Sequence, residues 1–162
     1  MKSKSKPKLE RQLMLLHIFH YCRVTEYAEI TGLIKVSRRT IDRDIAELTA
    51  AGVLNAAFSR KQNGFVHKDD MNLHSHKPTP SGNKAKQAHL NKLIRLSKVM
   101  FDFDEDTPAE FYAAHFPEVS SRTMQRDLRT LNNIGYGVRY DFWDKQYVYD
   151  FPGGMIDIFG GI

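Results

Sequence analysis

Residues 37–52 read SRRTIDRDIAELTAAG, and residues 120–135 read SSRTMQRDLRTLNNIG. Aligned at an offset of 83 without a gap, seven of the sixteen positions are identical: Ser, Arg, Thr, Arg, Asp, Leu and Gly. Ile41 matches Met124 and Ile45 matches Leu128 in type. The chain is therefore read as one module present twice.

Each copy has the spacing of an amphipathic helix. At 100° per residue, Ile41, Ile45 and Leu48 share one stripe, while Arg39, Arg43, Ala46 and Ala50 lie opposite. In the second copy Met124, Leu128 and Leu131 are the inward residues, and Arg122, Arg126, Arg129 and Asn133 are outward. Ser37 suits an N-cap, and Gly52 stands where a helix ends in a left-handed residue. Asp44 and Asp127 recur beside the arginines. They are read as structural, pairing with an arginine or holding the preceding helix.

The surroundings repeat as well. A long amphipathic stretch precedes each copy, at about 9–21 (Leu13, Leu16, Phe19) and 86–101 (Leu90, Leu93, Ile94, Leu96). A short helix follows each, expected to start at Thr25 in the first copy and at Thr107 in the second. TPAE at 107–110 supplies a cap, a proline for the first helical position and the glutamate of a capping box. Gly32 and the Phe116-Pro117 pair are the expected terminators. Behind each copy lies a hairpin pattern. VLNAAFS and GFVHK flank a polar turn at 60–64, and YGVRYD and QYVYDF flank a turn at 142–145.

The expected organisation is a first unit at 1–68 with a basic arm, a linker at 69–84, a second unit at 85–151, and an apolar, glycine-rich tail at 152–162. The 162 residues carry a net charge of +5. Residues 1–68 hold thirteen Lys/Arg against six Asp/Glu, and residues 85–162 hold nine against eleven. The first half is thus the stronger attractor of an anionic partner. No run approaches the roughly 18–20 apolar residues that cross a bilayer, and no apolar core follows MKSKSKPK. A cytoplasmic protein without a membrane partner is expected. The single Cys22 excludes an intramolecular disulfide.

SRRTIDRDIAELTAAGVL, preceded by VTEYAEITGL, resembles the winged helix-turn-helix domain of DeoR-type and WYL-type bacterial regulators. SSRTMQRDLRTLNNIGYGVRYDFWDKQYVYD resembles the same module again. The resemblance implies an α+β, mainly α fold of two tandem winged helix-turn-helix units, each of three helices and a β-hairpin wing. It implies that Ser37, Arg38, Arg39, Thr40 and Arg43 lie on one DNA-recognition helix. Ser120, Ser121, Arg122, Thr123, Gln125 and Arg126 lie on the other. Asp42 and Arg129 share those helices and join the candidate DNA-binding set, as do Arg60 and Lys61 at the first hairpin turn. Family members carry a large sensor domain after the DNA-binding unit, whereas here a second copy takes that place.

The expected function is sequence-specific binding of double-stranded DNA as a transcriptional repressor, cytoplasmic and nucleoid-associated, with a homodimer as partner state. Residues 85–162 are a candidate surface for a protein partner, since Asp102, Asp104, Glu105 and Asp106 and the aromatic turn suit DNA less well. The alternatives are a tandem winged-helix adaptor in chromosome organisation or assembly, and a plasmid or phage replication initiator. No catalytic constellation, cofactor motif or metal-ligand spacing is present; His17 and His20 near Cys22, and His74 and His76, do not form one.

Overall fold

A computed structural model of the chain describes residues 6–22, 24–67, 77–103 and 107–149. Residues 1–5, residue 23, residues 68–76 with half of the linker, the acidic residues 104–106 and residues 150–162 lie outside them. The fold is α+β and mainly helical, with small antiparallel sheets. In chain order the elements are α1 (Lys8–Tyr21), β1 (Val24–Glu26), α2 (Tyr27–Ile34), α3 (Arg38–Ala50), β2 (Ala56–Ser59), β3 (Gly64–His67), α4 (Lys84–Phe101), α5 (Pro108–His115), α6 (Ser121–Asn133), β4 (Val138–Asp141) and β5 (Gln146–Tyr149). None of these helices is long and apolar enough to cross a membrane. The chain divides into two compact units with the boundary between Ser97 and Lys98.

In the first unit, α1 buries Leu13, Leu16 and Phe19 as its spacing predicts, and Leu15 and Ile18 beside them. Helices α1, α2 and α3 pack on one another. Ile30 and Ile34 of α2 and Ile41, Ile45 and Leu48 of α3 complete this core.

Two expectations about α2 are corrected. The helix starts at Tyr27, not at Thr25. Thr25 belongs to β1, where it pairs with Phe65 and is buried. The Glu26 amide donates to Glu29 Oε2 at 3.2 Å, so this acidic pair closes the helix start. Gly32 does not end the helix either. It sits inside α2, and Lys35 terminates it in the left-handed conformation, φ 55°.

The hairpin of β2 and β3 runs from Ala56↔His67 to Ser59↔Gly64, and β1 adds to its free edge through Val24↔Val66 to Glu26↔Gly64. A side chain on Gly64 would meet the Thr25 carbonyl oxygen at 2.8 Å. Gly64 therefore serves the close approach of β1. The left-handed turn residue is Asn63, φ 49°.

The N-terminal part of α4 lies in the first unit, although the sequence placed a unit boundary near residue 85. The His89 imidazole, Nε2, lies 2.7 Å from Gln12 Oε1 and 3.6 Å from Glu47 Oε2. Upstream, the Thr79 amide donates to the Ala50 carbonyl at 2.7 Å.

The second unit has α5, α6 and the two-stranded β4–β5 ladder, Val138↔Tyr149 to Asp141↔Gln146. The TPAE signal forms as read. Thr107 Oγ1 accepts from the Glu110 amide at 3.3 Å, and Glu110 Oε2 accepts from the Thr107 amide at 3.1 Å. Helix α5 stops before Phe116. The buried Tyr136 donates its hydroxyl to the Met100 carbonyl at the end of α4. Leu128 and Leu131 are buried, while Met124 is half-exposed.

Candidate nucleic-acid interface

Helices α3 and α6 share the bonds of their N-caps and of their glycine turns. Ser37 and Ser120 are N-caps with φ/ψ of −70°/156° and −67°/153°. Each hydroxyl accepts from the amide three residues on, Thr40 at 3.4 Å and Thr123 at 3.2 Å. Each also lies 3.1 Å from that threonine's hydroxyl. At the other end Gly52 (φ 72°) and Gly135 (φ 96°) take the left-handed conformation that glycine tolerates. The Val53 amide reaches back to the Leu48 carbonyl at 3.2 Å, and the Tyr136 amide to the Leu131 carbonyl at 3.0 Å. This is the bond pattern of a glycine-terminated helix. Every pair of positions is related by the offset of 83.

The inward faces fix both helices. Asp44 and Asp127 are buried and bonded, as the structural reading requires. Asp44 receives the Arg11 guanidinium of α1, through Nε and through Nη2 at 3.0 Å, and the Gln12 amide at 3.3 Å. Glu47 continues the cluster, accepting from Lys8 at 2.7 Å and from Gln12 at 2.8 Å. Burial pushes the Glu47 carboxyl up, but the bonds from Lys8 and Gln12 and the charge of Lys8 outweigh it, and the group is held below its ordinary value. Lys8 is thus engaged by the helix it packs on. Asp127 accepts from the Tyr112 hydroxyl of α5 at 2.9 Å. So the first aspartate ties α3 to α1, and the second ties α6 to α5.

The outward faces are cationic. Arg38, Arg39 and Arg43 of α3 are exposed, as are Ser121, Arg122, Gln125, Arg126 and Arg129 of α6. Ser37 and Ser120 are exposed caps, and Thr40 and Thr123 are half-buried beneath them. The guanidiniums of Arg39, Arg43, Arg122, Arg126 and Arg129 make no hydrogen bond or ion pair among the described residues. A guanidinium carries five donors in a planar fork that fits phosphate or the acceptor edge of guanine. These five are unengaged for such a role.

Asp42 also lies on the exposed face of α3, but its carboxylate accepts from the Tyr27 hydroxyl of α2. The Tyr27 ring carries the Arg38 guanidinium over its face at 4.2 Å. No local signal in the sequence marks Tyr27, because its partners stand 11 and 15 residues away across the turn between α2 and α3.

The two hairpin turns differ. Residues 60–63 expose Arg60 and Lys61. Residues 142–145 expose Phe142 (83%) and Trp143 (95%) between acids. Asp141 Oδ1 accepts from the Trp143 amide at 2.8 Å and the Asp144 amide at 3.4 Å, which holds its carboxyl below the ordinary range. Arg139 lies 3.3 Å from Asp141 Oδ2.

Comparison of the chain with family models, with curated proteins and with solved structures returns no match.

Proposed function

We propose that the chain is a sequence-specific DNA-binding transcriptional regulator, acting as a repressor, built from two tandem winged helix-turn-helix units. In this reading α3 enters a major groove as the recognition helix and α6 does the same in a second groove. The β2–β3 hairpin is a wing whose Arg60 and Lys61 touch backbone phosphate. The observation that carries the reading is the pair of capped helices, repeated at one offset, on which the guanidiniums of Arg39, Arg43, Arg122, Arg126 and Arg129 have no hydrogen-bond or ion-pair partner among the described residues. The succession of three helices and a hairpin occurs twice, which is the element order such units require. A symmetric dimer on a palindromic site is the expected assembly, in the cytoplasm at the nucleoid.

The test is a titration of a selected duplex with the full chain and with Arg39→Ala and Arg43→Ala. Each substitution is expected to weaken binding about fivefold to a hundredfold, the value of one good base contact. It should leave the thermal midpoint in place. Wild-type binding by both variants ends the assignment of α3.

A second reading rests on one observation, the bare Phe142-Trp143 tip of the less basic half. Exposed aromatic pairs of this kind anchor protein interfaces. In that reading residues 85–162 form the contact surface of an adaptor. A chain that retains no duplex yet binds one partner protein, and loses it on Trp143→Ala, would favour the adaptor.

A further inference from the structure

We propose that Tyr27 is a positioning residue that holds Asp42 as a base-reading carboxylate, so that the chain selects cytosine at one base pair of its DNA site. The inference deepens the regulator reading and rests on it.

Asp42 is an odd residue for this surface. It lies among Arg38, Arg39 and Arg43 on the exposed side of α3. A carboxylate there repels phosphate and weakens sequence-independent attraction to the duplex. Arg38 and Asp42 are four residues apart on one helix, the spacing of an ordinary ion pair. They do not pair with each other. Both are directed at Tyr27, Asp42 to its hydroxyl and Arg38 to its ring face.

The ring has little freedom. Phe58 and Phe65 of the hairpin stand at centroid distances of 5.5 Å and 4.9 Å from it. The hydroxyl stays a donor across the physiological range. Burial first, then the bond to Asp42, push it up to about 12. Tyr27 thus fixes the Asp42 carboxylate through Oδ1. Asp42 makes no other hydrogen bond among the described residues, so Oδ2 remains a free acceptor on the outward face. A side chain held in place before binding loses less conformational entropy on contact.

An acceptor without a proton discriminates among base edges. Guanine offers two acceptors in the major groove, and thymine an acceptor and a methyl group. Adenine sets an acceptor beside its amine. Cytosine offers its N4 amine alone, and aspartate suits it. The same geometry assigns Arg38 a stacking role on Tyr27 and leaves Arg39 and Arg43 as the reaching groups.

The experiment selects duplexes from a randomised pool with the full chain and four variants. Wild type is expected to enrich cytosine at one position about fivefold or more over any other base. Asp42→Asn, whose amide both donates and accepts, should move that position to adenine. Asp42→Ala should level it. Tyr27→Phe keeps the ring and its stacking and loses the hydroxyl, and should weaken the cytosine preference. Added to Asp42→Ala, it should change nothing further. If Tyr27→Phe fails to fold, Asp42→Asn decides alone. A pool position unmoved by either Asp42 variant, or full preference in folded Tyr27→Phe, overturns this inference while leaving the regulator reading intact. No enrichment by the wild type removes both.

Discussion

Helices α3 and α6 share their caps and their glycine turns, while the hairpins that follow them are built differently. The hydroxyl of Ser37 repeats in Ser120, and the 53-to-48 bond repeats in 136-to-131. Asp44 is gripped by a guanidinium and an amide from α1, and Asp127 takes a phenol from α5. The hairpins diverge. The first has a third strand on its edge and needs Gly64 there, while Gln146 stands at the matching register of the second. Bonds made within a helix and its ends follow from the repeated residues. The strand pairing follows from residues outside the repeat, and there the copies differ.

The largest effect is expected at the two buried aspartates. Arg11 and Asp44 are 11% and 2% exposed at their side chains. Asp44→Ala leaves a buried guanidinium without its carboxylate and should cost about 3–5 kcal/mol. Asp127→Ala removes a fully buried carboxylate and orphans the Tyr112 hydroxyl, and should cost at least about 1–3 kcal/mol. Urea unfolding of the full chain gives the totals, and amide hydrogen exchange locates each loss. An unfolding midpoint unmoved by either substitution would show that these carboxylates do not hold their helices.

Next come the hairpins. Gly64→Ala forces a methyl group against the Thr25 carbonyl, and overpacking of this kind costs about 1–3 kcal/mol. Gln146→Ala should be near neutral. A harmless Gly64→Ala would show that β1 can shift without penalty.

A pH effect of similar size belongs to the first unit. Burial, and secondarily the charge of His20, push His17 down to about 4 from 6.5. Between those values the unfolded chain binds a proton that the folded chain refuses. Stability is therefore full above pH 6.5 and falls as the pH drops toward 4. The loss between pH 7 and pH 5 should be about 2 kcal/mol. His17→Leu should flatten the steepest part of the profile, and an unaltered profile would show that His17 is not its source.

The smallest effect tests the likeness instead of the difference. Ser37→Ala and Ser120→Ala should each cost about 1 kcal/mol and agree with each other, since the caps have the same geometry. A clear inequality would mean that the caps are coupled to their unlike surroundings.

The parts of this fold that could be read in advance are those made within a few residues. The caps at Ser37, Ser120 and Thr107, the turn glycine at Gly52 and the stripe of Ile41, Ile45 and Leu48 are all local. Thr25 misled because threonine is a good cap in isolation, and only pairing with Phe65, forty residues away, makes it a strand residue. Gly32 misled because a glycine tolerated inside a helix resembles a terminator. Gly64 looked like a turn residue, while its role depends on a strand that the local pattern does not announce. At the candidate interface, the arginines were legible from helical spacing. Tyr27 and the partners Arg11, Gln12 and His89 were not, because each acts across a gap in sequence.

The salt dependence of duplex binding tests the central claim most directly. With the full chain and random-sequence duplex, the affinity is predicted to fall steeply as salt rises, as release of counterions from several contacted phosphates demands. Removing Arg39 and Arg43 together should leave weaker binding. A flat salt response, with the double variant indistinguishable from wild type, would contradict the account.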